Sequence, residues 1–75
     1  DAGAWAVALL IQRSEGRSVK QFTAKFYPLL DEKGWRSAVS RYAGYKDIDA
    51  FYDAFAVLME KSENEQMKLL RLIKP

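Results

Sequence analysis

The sequence predicts an all-α fold: a compact bundle of four or five short helices forming one domain over residues 1–75. Three observations predict it. Apolar residues recur at steps of three and four along most of the chain. β-branched residues are few, and no period-two alternation persists. Turn and cap residues (Gly16, Ser18, Gly34, Gly44, Asp47 and Ser62) punctuate the pattern at helix-length intervals.

Residues Ala2 to Ser14 read as the first helix, rich in Ala and Leu and uninterrupted after Gly3. Its apolarity runs nearly all the way round, which predicts a central helix contacted on several sides. Gly16 is a natural stop. Ser18 is a good N-cap for a second helix, along which Val19, Phe22, Phe26 and Leu29 or Leu30 recur. Pro28 lacks an amide hydrogen and disfavours the helical state at Tyr27, so this helix is expected to end or kink there. Asp31-Glu32-Lys33-Gly34 then reads as a polar turn.

A third helix is expected from about Trp35 to Tyr42, with Trp35, Ala38, Val39 and Tyr42 on one face and Gly44 closing it. Asp47 caps a fourth, whose stripe of Ile48, Phe51, Tyr52, Phe55, Leu58 and Met59 is the clearest in the chain. Ser62 and Glu65 have the spacing of a capping box, so a fifth short helix is expected there. It carries Met67, Leu70 and Ile73 on one side; one continuous helix through the Ser-Glu-Asn stretch is the alternative.

Composition limits the chemistry. The chain has neither histidine nor cysteine. It therefore lacks the usual neutral-pH base, the soft metal ligands, and any disulfide or Cys/His zinc site. A domain this small hides only about 60% of its unfolded surface, so apolar packing must hold it. The material is present: 49% of residues are apolar and ten are aromatic. Net charge is only +2, with the excess near Arg13, Arg17, Lys20 and Lys25. That is not a nucleic-acid footprint. The apolar run from Ala4 to Ile11 is eight residues, against roughly 20 needed to span a bilayer. No signal peptide is apparent, and a chain starting at Asp1 rather than Met reads as a piece of, or an accessory to, a larger protein.

Each cluster of reactive groups has a plainer explanation. Asp47, Asp49 and Asp53 suggest a hard-cation site but lack an EF-hand's glycine and closing glutamate, and acids favour helix starts anyway. Glu60, Glu63 and Glu65 suggest an acid–base pair but sit in a strongly polar junction. No serine lies in a Gly-x-Ser-x-Gly setting, and Gly16-Arg17-Ser18 lacks the pattern of a phosphate loop. No catalytic, metal or cofactor residue is assigned. A helix-turn-helix reading would present Arg36, Ser37, Ser40 and Arg41 to a major groove. Near-neutrality, the long turn and Pro28 oppose it. Trp35, Tyr42, Tyr45, Phe51, Tyr52 and Phe55 read first as core. Ten aromatics exceed what so small a domain can hide, and Trp5, Tyr27 and Tyr45 are the candidates for an exposed partner-contact edge.

The order of features carries a resemblance. Asp1-Ala2-Gly3-Ala4 leads into an apolar helix, followed by Lys25-Phe26-Tyr27 with Leu29-Leu30. Then come Gly34-Trp35-Arg36-Ser37-Ala38-Val39, a Gly44 turn and Phe51-Tyr52-Asp53-Ala54-Phe55. This resembles the helical C-terminal subdomain of secreted zinc metallopeptidases of the gluzincin and collagenase-like kind, over residues 1 to 59. The chain differs in joining Gly34 directly to Trp35 and in placing Val39 where an aromatic is usual. In that family the zinc ligands, His-Glu-x-x-His and a later glutamate, lie upstream of the region matched. The resemblance thus implies a non-catalytic, extracytoplasmic module that braces a larger enzyme, packing Trp5, Trp35 and Phe51 into a shared core. An independent domain docking a protein partner on an aromatic edge is the second expectation, and a weak DNA binder the third.

Overall fold

In the computed structural model, which describes residues 2–75, the chain is all-α. Asp1, which heads the segment carrying the resemblance, lies outside the described residues. Five helices follow one another among those residues: α1 (Ala2–Arg13), α2 (Val19–Lys33), α3 (Trp35–Ala43), α4 (Ile48–Glu60) and α5 (Glu63–Arg71). No strand is present among them; Ser18 and Lys74 form an isolated parallel bridge.

α1 is central, as its all-round apolarity predicts. Four successive residues, Ala8 to Ile11, are buried, which only a helix enclosed on several sides permits. It packs against α3 and α5. It ends at Arg13, and Ser14, buried just beyond, donates its hydroxyl hydrogen to the Ile11 carbonyl at 2.6 Å.

α2 corrects the reading of Pro28. The helix does not end there but runs on to Lys33, with the proline inside it. The lost amide would have bonded the Ala24 carbonyl, and Ala24 is exposed, so water can serve that oxygen. Beyond the proline, Leu29 and Leu30 still pack against the core. That burial favours continuing the helix over breaking it. The expected polar turn shrinks to Gly34, whose φ of 82° lets α3 start at once. α2 and α3 form the most extensive helix pair in the fold.

The remaining caps agree with the sequence. Gly44 closes α3 in the left-handed region, at φ 75°. The Ala50 amide donates to Asp47 Oδ1 at 2.9 Å, starting α4. The Glu65 amide donates to Ser62 Oγ at 3.3 Å, so α4 and α5 are separate helices. On α5 and the two residues after it the packed side differs from expectation. Leu69 and Ile73 reach the core, while Met67 and Leu70 are exposed.

The C-terminal tail adds a feature that no local pattern announces. The Val19 amide donates to the Lys74 carbonyl at 2.8 Å and the Lys20 amide to the Pro75 carbonyl at 2.9 Å. The Lys74 amide returns a bond to the Arg17 carbonyl at 2.7 Å. Two of the orphan amides that begin α2 are thus satisfied from the far end of the chain.

The core joins α1, α2, α3 and α4 through Leu10, Phe22, Phe26, Val39, Phe51 and Leu58. Leu10 and Val39 are wholly enclosed. The shortest principal extent is only 20 Å, which leaves room for about two helix layers at the usual 8–10 Å spacing. Few large side chains can therefore be covered on all sides.

Candidate interaction surface

Nine of the ten aromatic residues, all but Trp5, form one connected network of ring contacts. Its inner members are Phe22 and Phe26 on α2 and Phe51 on α4, all buried. Phe22 and Phe26 stack at 4.8 Å between centroids. Tyr42 meets both edge-on, at 5.4 and 5.8 Å. Trp35 bridges the halves, edge-on to Phe26 at 6.2 Å and to Phe51 at 6.1 Å.

Three rings extend this network to the surface. Tyr27 is 53% exposed and lies edge-on to Phe22 and Phe26. Trp35 is 41% exposed. Tyr52 is 49% exposed and tilted against Phe51 at 5.9 Å. On α4, Phe55 is partly buried and stacks on Phe51, and Met59 is exposed, so Tyr52, Phe55 and Met59 make a strip at helical spacing.

Of the three expected edge residues, Tyr27 is exposed and Trp5 is partly buried against the core. Tyr45 corrects the expectation: only 6% of it is accessible. The cause is Arg13 at the end of α1. Its guanidinium lies over the Tyr45 ring, 4.1 Å from the centroid, while Nε donates to the Ala43 carbonyl at 2.9 Å. Phe51 covers another side at 5.5 Å. Burial raises the Tyr45 pKa above its ordinary 10.0, and the nearby Arg13 charge offsets this only in part.

Sequence reasoning missed Trp35 and Tyr52 as surface rings by assigning both to core stripes. Signals for both were present. Trp35 is the first residue of its helix, with no preceding turn to cover it. Tyr52 sits about 100° round the helix from Phe51, and partly buried Ala50 and Ala54 draw the packed face away from it.

The acidic residues do not converge. Among the described residues no group of three His, Cys, Asp or Glu is placed to hold a metal ion. Asp47 serves as a cap, and Glu65 pairs with Lys61 at 3.6 Å. The four residues of the helix-turn-helix reading, Arg36, Ser37, Ser40 and Arg41, do share one side of α3, where they line a groove. A second, smaller cleft of about 420 Å³ lies between α4 and α5, lined by Leu58, Lys61, Glu65, Lys68, Leu69 and Leu72. Among the described residues no helix is long and apolar enough to cross a membrane.

Comparison with protein-family models, curated proteins and solved structures finds no match to this chain.

Proposed function

We propose that this chain is a non-catalytic helical module that docks its aromatic side onto a larger protein, of the secreted metallopeptidase kind that the sequence resembles, and holds that protein's helices in place. The observation that carries this reading is the support beneath the exposed rings. Trp35 and Tyr52 both rest on buried Phe51, and Tyr27 rests on Phe26. A single exposed apolar residue is ordinary. Linked, partly exposed aromatics held in place from below are what protein interfaces enrich. The two segments that carry the resemblance, at Gly34-Trp35 and Phe51-Tyr52, meet at the Trp35–Phe51 contact.

The test uses the double substitution Trp35→Glu with Tyr52→Glu. Both side chains are far enough into solvent for the isolated domain to keep its helicity. Association with the larger polypeptide, read by calorimetry or co-elution, should be lost. Undiminished association of the double variant would end this reading.

A further inference from the structure

The side of α3 opposite the core has a chemistry of its own. Ala38, Val39 and Ala43 are buried, and Arg36, Ser37, Ser40 and Arg41 project from the other side. After Gly44 the chain reverses, and Lys46 to Asp49 come back beside α3. Between these two walls runs an open groove of about 530 Å³.

The groove holds more donors than acceptors. Among the described residues, ion pairs form only at Lys33–Glu32 and Lys61–Glu65. Arg36, Arg41 and Lys46 are thus unpaired there. The Ser37 and Ser40 hydroxyls likewise make no hydrogen bond to a described protein group, unlike those of Ser14, Ser18 and Ser62. Asp47 is occupied in capping α4. Asp49 remains, on the wall facing the arginines. Guanidinium groups flanking hydroxyls match the oxygens of a phosphate group through charge-assisted bonds. Both aspartates oppose a long polyanion, and Asp49 is an acceptor for a ligand's own hydroxyl group.

We infer that this groove binds a small phosphorylated, hydroxyl-bearing molecule, with Arg36, Arg41, Ser37 and Ser40 on its phosphate and Asp49 on its hydroxyl end. The docking side, at Tyr27, Trp35 and Tyr52, shares no residue with it, so either proposal can fail without the other.

The test follows backbone amide signals of the 75-residue chain during titration with inorganic phosphate and with glycerol 3-phosphate. One parallel arm uses phosphatidylglycerol vesicles against phosphatidylcholine vesicles, and another uses duplex DNA at two salt concentrations. Saturable shifts at residues 36–41 and 46–49 are expected, stronger with glycerol 3-phosphate than with phosphate. Arg36→Gln with Arg41→Gln should weaken binding about tenfold or more, the loss of one good charged hydrogen bond. The control, Lys20→Gln with Lys25→Gln, should leave it unchanged. If only phosphatidylglycerol vesicles bind, and do so with the same arginine dependence, the phosphate is that of a lipid headgroup and the inference stands. It falls if no arm moves those amides at millimolar ligand, if the control weakens binding equally, or if only duplex DNA moves them with steep salt dependence.

Discussion

Replacing Phe51 by alanine tests the packing on which both halves of the aromatic network depend. Phe51 is 2% exposed and touches four rings: Trp35, Tyr45, Tyr52 and Phe55. Truncating a buried phenylalanine costs about 3–5 kcal/mol, through lost transfer energy and an unfilled cavity. Aromatic pairs add about 0.5–1.5 kcal/mol each beyond area, so four of them place this site towards the upper end. At about 0.05–0.15 kcal/mol per residue, the 75-residue chain has total stability of roughly 4–11 kcal/mol. Phe51→Ala therefore removes a large part of it, and Phe51→Leu, which keeps most of the volume, should cost about 1–2 kcal/mol. Urea unfolding followed by far-UV circular dichroism gives both values from the midpoint and slope. Tryptophan emission should shift to the red in both variants, because Trp35 loses the ring beneath it. A cost below about 1 kcal/mol for the alanine variant would refute the placement of Phe51 at the centre.

Three further substitutions and one pH titration probe particular contacts. Tyr42 has a buried hydroxyl with no partner among the described residues. Tyr42→Phe keeps both ring contacts and should leave stability unchanged or raise it by about 1 kcal/mol; a clear loss in urea unfolding would show that the hydroxyl is bonded. Pro28→Ala restores the helical amide and should raise the thermal midpoint, in line with the helix-interior penalty of up to about 3 kcal/mol, whereas a lower midpoint would mean that α2 is broken there. Arg13→Ala removes the hydrogen bond to Ala43 and the cover over Tyr45, and should cost about 1–2 kcal/mol. Stability should fall as pH rises past 10, because Tyr45 has a raised pKa when folded and its unfolded form loses its proton first. The full contribution is present below 10.0 and is lost through the raised value; urea unfolding of the Tyr45→Phe variant should lack this part of the fall, and an identical pH dependence in both proteins would contradict it.

What was legible in the sequence was local. Ser18, Asp47 and Ser62 each satisfy an amide three residues on, so a short window contains both partners of the bond. Gly44 reads as a helix stop because its left-handed backbone disfavours a side chain. What failed was set from a distance. Pro28 stays helical because Leu29 and Leu30 find core contacts beyond it. Tyr45 is buried because Arg13, on another helix, folds over it. Tyr27 needed only the argument that ten aromatics overfill a small interior; the same argument also named Trp5, which packs partly against the core, and Tyr45, which is buried. It could not say that Trp35 and Tyr52 would be the ones left outside. The groove on α3 was half visible, as the Arg36, Ser37, Ser40 and Arg41 face; its second wall, Lys46 to Asp49, required the fold.

Exposed large apolar side chains occur on all five helices, and those on α5 differ from the exposed aromatic rings in what holds them. Met67 and Leu70 on α5 are exposed, and neither belongs to the aromatic network that props the exposed rings from beneath. Fixing such side chains in a complex costs about 0.5–1.5 kcal/mol each in lost rotamers. Tyr27, Trp35 and Tyr52 have two side-chain torsions each, and every one leans on a ring that the core already fixes. Much of the ordering that association demands is therefore met by folding. The same thin cross-section that leaves these rings uncovered also places Phe26 and Phe51 directly beneath them. Under the proposed docking role, a partner that covers these rings would gain apolar burial at small entropic cost, which is why the proposal places the docking face there and not on α5.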